Sequence, residues 1–354
     1  MELSLVDPYS SRAAAIWAEL EAPSFFTSWG WIGTWLACLP SDRRVQMLVV
    51  RERGGIVGAG CLGELRAVRR GVVPIRALNL NSTGLLRFDE LVIEYNGFTG
   101  TEPPLRSLLD QLCSTTAWDE LVLPGVRETS FGGLDTLDGR YRLSFERRSP
   151  VYFVDLEAVR AKGYLSLLSS NTRTQVKRAQ KTAGPVTLDV ARDAGEAIEI
   201  YEELRALHTA GWRERGQPGA FTDPWIDRFH RRLIATRFPT GEIQLLRVRS
   251  GAVTHGCLYN FVWRGRVLQY QTGFRPSADS RDKPGYVCHT AAIEHGAATG
   301  LGVYDFLAGD HRYKDSLSTG NGQLVWCKVQ RPRWRFSLED RLVDLVRSVR
   351  NRRS

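Results

Sequence analysis

Apolar residues recur along this chain at two spacings, and the changeovers mark its elements. Residues 11–20 and 28–38 carry the three-and-four spacing of helices; in the second, Trp31 and Trp35 stand four apart beside Ile32 and share one face, which reads as core rather than as a platform for a ligand. From Val45 the alternation of strands takes over. A hairpin turn falls at Arg53-Gly54-Gly55, a second strand runs through Leu65, and extended runs follow at 74–80 and 90–95, the last closed by Asn96-Gly97. Pro103 and Pro104 open a helix with Leu105, Leu108, Leu109 and Leu112 as its apolar positions, and a strand at 120–123 comes after it. Residues 124–150 are glycine-rich and polar, the composition of a boundary or an exposed connection.

A strand at 151–156 restarts the pattern. The segment 164–182 reads as helical, and its second half, SSNTRTQVKRAQK, has a cap in Ser170 or Asn171 followed by Arg173, Lys177, Arg178 and Lys181 with no acid. Arg173, Lys177 and Lys181 lie at successive four-residue steps on one face, a stripe that suits a bound anion or simply faces water. Gly184-Pro185 ends it, and a strand at 186–190 precedes a helix at 196–215, where Ile198, Tyr201, Leu204 and Leu207 form one side with His208 at the edge. A helix at 224–237 is capped by Asp223 with Pro224 in its first turn. A meander at 243–248, 252–263 and 267–274, a polar loop at 275–284, a helix at 285–299 and a strand from Val303 complete the unit.

The halves match each other. Residues 55–62 (GIVGAGCL) and 251–258 (GAVTHGCL) share G-x-V-x-x-G-C-L, each after a β-run, and the element order repeats as two helices, a meander, a helix and a strand. At 354 residues and 43% hydrophobic content, two cores of ordinary size are expected: a domain at 1–150, a second at 151–330, and a basic tail at 331–354. The start, MELSLVDPYSSR, lacks the basic and apolar regions of a signal peptide, and no apolar run reaches a membrane span, so the expectation is a cytoplasmic protein. Six scattered cysteines without CxxC, and six histidines without ligand spacing, predict reduced thiols and no metal. The formal charge of +9 favours an anionic partner without choosing among phosphates, an acidic carrier, nucleic acid and a membrane surface.

Chemistry concentrates at Val303 to Lys314, VYDFLAGDHRYK. Asp305 sits inside a short apolar strand, so it needs water or a partner such as Lys314 or His311, while Asp310, His311, Tyr313 and Lys314 emerge where Gly309 ends the run. A structural ion pair and a site are both open for Asp305; the cluster as a whole reads as a site. His208, alone on an apolar face, reads first as a satisfied core residue.

SSNTRTQVKRAQK, the Lys283-Pro284-Gly285 helix start and YDFLAGDHRYK, with LHTAGWRERG as a weaker match, make the chain resemble the GNAT acyltransferase superfamily. The likeness is to the tandem-domain branch of acetyltransferases associated with cellulose biosynthesis, related in turn to the Fem-type aminoacyl transferases, and it spans about residues 20–325. It implies an α/β fold of tandem duplicated domains, each a mixed sheet with helices on both faces, and an activated acyl donor in the second half. It implies that the donor pyrophosphate sits on amides at Arg281-Asp282-Lys283-Pro284-Gly285-Tyr286, where Pro284 supplies no N–H and Arg281 and Lys283 provide charge in place of the usual glycines. The equivalent stretch of the first half, residues 100–104, has an acid and no base, which suits structure or acceptor recognition. By the same resemblance an amine attacks the acyl carbon directly: Asp305 orients or deprotonates the acceptor ammonium, with His208 as the alternative base, amides near Tyr270 to Gly273 polarise the carbonyl, Tyr313 or His311 protonates the departing thiolate, and Lys314 holds a phosphate or steadies developing charge. The donor is acyl-CoA, an acyl carrier protein or an aminoacyl-tRNA, the acceptor a small-molecule or peptide amine, and the protein a monomer. A non-enzymatic scaffold is the remaining reading: the tail's eight arginines against three acids, with Leu342, Leu345, Val346 and Val349 on one helical face, would then dock on an anionic membrane or a partner.

Overall fold

A computed structural model describes residues 1–89, 91, 93–137, 139–217, 219–277, 279, 282–336 and 338–339. The chain divides into two compact units, one of residues 1–32, 39–148 and the segment from Val325 onward, the other of residues 33–38 and 149–324. Its strands in chain order are β1 (Glu2–Val6), β2 (Val45–Glu52), β3 (Gly55–Arg69), β4 (Val73–Leu80), β5 (Thr99–Gly100), β6 (Glu120–Val126), β7 (Arg142–Asp155), β8 (Thr187–Val190), β9 (Ile243–Ser250), β10 (Val253–Trp263), β11 (Arg266–Phe274), β12 (Val303–Ala308) and β13 (Gly320–Gln330).

Both units follow one plan, a mixed sheet in an α/β fold. In the first, β1, β2, β3 and β4 pair antiparallel in that order, β6 joins β4 in parallel across the helix Leu105–Thr115, and β13 closes antiparallel on β6. In the second, β8 to β11 repeat the antiparallel series, β12 joins β11 in parallel across the helix Pro284–Ala298, and β7 closes antiparallel on β12. A parallel pair needs such a crossover. The closing strand is the one departure from a simple repeat, since it enters last in the first unit's chain and first in the second's.

Leu105, Leu108, Leu109 and Leu112 stripe their helix and bury against Leu48, Val50, Leu62 and Leu78. In the second unit Val287, Cys288, Ala292 and Ile293 pack with Leu246, Leu258, Val267 and Phe306 on one sheet face, while the helix Ala194–Glu214 packs on β9, β10 and β11 with Ile200, Tyr201 and Leu204 buried. Trp31, Trp35 and Ile32 are core.

Two elements differ from the sequence reading. The described part of 90–95 forms no strand: it lies between the ends of β4 and β6, where the Asn96 side chain donates to Leu80 O at 3.0 Å and Pro124 O at 2.9 Å and the Asn96 N–H to Gly125 O at 3.0 Å. Residues 142–150 are strand rather than exposed connection; their polarity is met by ion pairs and a stacked guanidinium, Lys328–Glu146 at 2.9 Å, Arg148–Glu128 at 2.9 Å and Arg147 3.5 Å over the Trp326 ring. Among the described residues no helix is long and apolar enough to cross a membrane. The tail helix expected near 338–350 lies outside them except for Leu338 and Glu339.

Candidate functional site

Strands β11 and β12 hold together over three pairs only, Arg266↔Val303, Val267↔Tyr304 and Leu268↔Asp305; beyond Leu268 no ladder pair forms between them. At the same point β11 carries a bulge. Tyr259 of β10 pairs with Gln271 and Asn260 with Gln269, which leaves Tyr270 as the extra residue. The result is a wedge in the sheet, with a re-aimed backbone along residues 269–274 as one wall. Gly273 lies directly beneath the helix Ala194–Glu214, where a Cβ would overlap Leu204 O and come within 3.0 Å of His208 N.

The helix Pro284–Ala298 follows β11 and starts with no side-chain cap. Gly285 rests on the Phe274 ring at 3.3 Å from where its Cβ would be. Lys283 Nζ donates to Gln175 Oε1 at 2.7 Å and lies 5.3 Å from the Tyr286 ring, and Arg275 pairs with Asp282 at 2.5 Å. Arg281 lies outside the described residues. Gln175 places the helix Ser170–Ala183 beside this start. That helix is capped by Ser169, one residue before the expected caps. Arg173 does not belong to the free stripe, because it donates to Leu165 O, Ser166 O and Leu168 O; Lys177, Arg178 and Lys181 remain exposed.

On the other wall β12 has its own bulge, between Asp305↔Phe153 and Ala308↔Val151, and Leu307 there adopts φ 61°. A bulky side chain is strained in that region, at a cost of about 1–3 kcal/mol. The two residues that stood out in the sequence hold it from both sides. Asp305, fully buried, accepts the Leu307 N–H on Oδ1 at 2.8 Å and Arg266 on Oδ2 at 2.8 Å; Lys314, also buried, donates to Leu307 O at 3.3 Å and Ala308 O at 2.6 Å. Arg266 is thus a partner of Asp305, and the carboxylate that was a candidate base is engaged on both oxygens.

His208 is buried: it accepts from Trp212 Nε1 at 2.8 Å and packs edge-on against Phe221. Tyr313 is half-buried and stacks on His289 at 5.5 Å on one side and on exposed His311 at 6.0 Å on the other. Burial pushes its phenol up to about 12, so it keeps its proton at neutral pH. Sequence reasoning missed His289, which sits wholly buried against Tyr304 at 3.3 Å, and with it Arg266 and Gln175; an arginine within the apolar β11 was the one available cue.

Burial lowers His208 to about 4 and His230 and His289 to about 3, and each keeps one ring nitrogen without a partner among the described residues. Below the ordinary value near 6.5 the unfolded chain takes up protons that the folded one refuses. Stability therefore falls as pH drops from about 6.5 toward 4, by about 1.4 kcal/mol per pH unit for each histidine. Thermal midpoints across that range will show it, and His230→Phe will shallow the slope; a flat profile in the parent would contradict this.

The pattern of the acetyltransferase (GNAT) domain family matches residues 168–315, the stretch that contains the wedge, both bulges and the uncapped helix. These residues form a GNAT acetyltransferase domain. With it comes the enzyme class, an N-acyltransferase. The fold extends beyond the GNAT domain to nearly the whole chain. The crystal structure of FemX superposes with a TM-score of 0.60 at 10% identity, over 95% of this chain and 98% of that one. The C-terminal domain of a putative lysylphosphatidylglycerol synthetase from Agrobacterium fabrum gives 0.53 at 12% identity over 91% of each chain, and L-PGS from Bacillus licheniformis 0.52 at 10% over 92% of each. At these identities the likeness is one of fold. No curated protein matches the chain by sequence.

Proposed function

We propose that the wedge between β11 and β12 is where an acyl-CoA thioester gives its acyl group to an amine by direct attack. The observation that carries this reading is the coincidence at one place of the stretch of β11 that parts from β12, the Tyr270 bulge and the uncapped start of Pro284–Ala298. Lys283, Gly285 and Tyr286 at that start, with Arg281 close in sequence, suit a pyrophosphate by charge and by close backbone approach. Amides of Tyr270 to Gly273 polarise the carbonyl. The amine nitrogen bonds to the acyl carbon, the C–S bond breaks, the thiolate takes a proton from Tyr313, and Tyr313 recovers one from the nitrogen through water, with His311 on its solvent side. Asp305 and Lys314 hold the opposite wall and His208 remains structural in this scheme. The first unit takes a structural or acceptor-recognising part: its wedge is bridged by Asn96, and Glu102, in the loop equivalent to the donor loop, accepts the Phe131 N–H at 3.1 Å.

Acetyl-CoA with a panel of small amines and peptides tests this by thiol release and native mass spectrometry. Tyr313→Phe is expected to lower kcat by about 10²-fold without moving the thermal midpoint. Absence of donor binding, or full turnover in that variant, would sink the assignment.

Exposed Lys177, Arg178 and Lys181 beside the helix start support a second reading, in which the donor is an aminoacyl-tRNA or an acidic acyl carrier protein. A tRNA donor would bind with an affinity that falls steeply with salt, as phosphate contacts release counterions. Weak salt dependence returns the assignment to a small thioester.

A further inference from the structure

Four of the eleven large apolar residues exposed among the described residues belong to two neighbouring segments of the first unit. They are Val68 (60% exposed) and Val72 (72%) on the β3–β4 hairpin, and Trp334 (80%) and Leu338 (50%) at the start of the tail. Ion pairs fasten the two segments together: Arg69 and Arg70, at the hairpin tip, reach Glu339 at 3.4 and 3.5 Å. Arg69 also pairs with Glu120, and Arg335 with Asp119. Phe336 is buried under Arg69, whose guanidinium lies 5.7 Å from its ring. The tail thus leaves the body anchored by Phe336 while Trp334 is left in solvent, an unfavourable arrangement for the largest apolar side chain unless something covers it.

Charge on this face is layered. The acids lie underneath, with Glu64 and Asp119 at 11% side-chain exposure, Glu339 at 8% and Glu120 at 4%, whereas Arg66 and Arg70 stand out at 61% and 57% and Arg333 at 41%. What faces outward is guanidinium interspersed with valine, leucine and tryptophan. A groove of about 520 Å³ opens among them, lined by Arg66, Val68, Arg76, Arg335 and Asp119, the last paired with Arg335.

We propose that this face binds the surface of an anionic lipid bilayer. Arginines meet the headgroup phosphates, the groove admits one of them, and Trp334, Leu338, Val68 and Val72 enter the interfacial layer. Tryptophan favours that depth, and each basic residue near an anionic surface adds attraction. The occupant is a bilayer rather than a protein groove because the apolar residues are dispersed among exposed cations instead of forming a continuous stripe, and rather than nucleic acid because four exposed aliphatic and aromatic side chains have no counterpart on a phosphate backbone.

Co-sedimentation of the full chain with vesicles of phosphatidylcholine alone, and of an equal mixture with phosphatidylglycerol, tests it without reference to acyl transfer. The expected result is binding to the mixed vesicles only, weakened by salt, and reduced about tenfold by Trp334→Ala and by the Arg66→Gln/Arg70→Gln pair. Thermal unfolding and transfer to a soluble amine should be unchanged in these variants. Failure to sediment with mixed vesicles, equal binding to both compositions, binding indifferent to the variants, or loss in the variants of tRNA binding instead of vesicle binding would each overturn it.

Discussion

Lys314→Met is expected to unfold the second unit at a markedly lower temperature and to abolish acyl transfer in whatever remains folded. The lysine is buried, and its ammonium is the donor to Leu307 O and Ala308 O. A methionine of similar length fills the space but leaves the buried Leu307 carbonyl and the half-buried Ala308 carbonyl without that donor beside a residue at φ 61°. Asp305→Ala attacks the same feature from the other side, because the Leu307 N–H and the Arg266 guanidinium lose their acceptor together. Breaking a buried, hydrogen-bonded charge costs about 3–5 kcal/mol, a large fraction of a domain's stability. Asp305→Asn separates the two jobs. Its amide oxygen still accepts from Leu307 while the charge facing Arg266 is gone, and since Arg266 is more than a third exposed, this variant should sit much closer to the parent.

Coupling is the decisive readout. If Asp305 and Lys314 act by holding one strained residue, each matters less once Leu307 is glycine, for which that backbone conformation carries no penalty. Leu307→Gly loses buried apolar surface, so its own midpoint says little; the double-mutant cycle with Lys314→Met does, and should give a coupling of about 1–2 kcal/mol. Additive losses would mean that Lys314 stabilises β12 without reference to the bulge.

The clamp also shows what the sequence disclosed and what it withheld. VYDFLAGDHRYK was legible as the place where ionisable groups meet a strand end, and the structure brings Asp305, Lys314, Tyr313 and His311 together there. Their division of labour was not legible, because it depends on Leu307 and Tyr270, ordinary residues at bulges that no local preference marks. The helix Pro224–Arg237 came out at its predicted bounds because Asp223 and Pro224 define its start locally. The run at 90–95 failed for the opposite reason: Leu91, Ile93 and Tyr95 alternate as a strand would, but a side-chain amide from Asn96 bridging β4 and β6 is a tertiary fact. The duplication survived as topology, since antiparallel pairs and one parallel crossover recur in both units, whereas the late arrival of β13 has no trace in the repeated octapeptide.

Gly273→Ala should be the most damaging single methyl in the second unit. Its Cβ would overlap Leu204 O and crowd Leu207 Cβ at 2.9 Å and His208 N at 3.0 Å, so what stands in the way is mostly the backbone of a helix. That helix cannot yield alone, because its buried face of Ala197, Ile200, Tyr201 and Leu204 is packed on the sheet. Either the helix lifts or β11 sinks, at about 1–3 kcal/mol by the usual cost of overpacking. A shift of β11 also carries the Tyr270 bulge with it, and misplacing polarising amides by about 1 Å costs about 10²-fold in rate. Gly285→Ala is the matched control, since its nearest neighbour is the Phe274 ring edge at 3.3 Å, a side chain that can turn aside. A lowered midpoint and lost turnover in the first, with a near-parental midpoint in the second, is the expected pattern. Were Gly273→Ala to keep both, that helix would give way to a methyl without cost, and β11 would not be a fixed wall of the site.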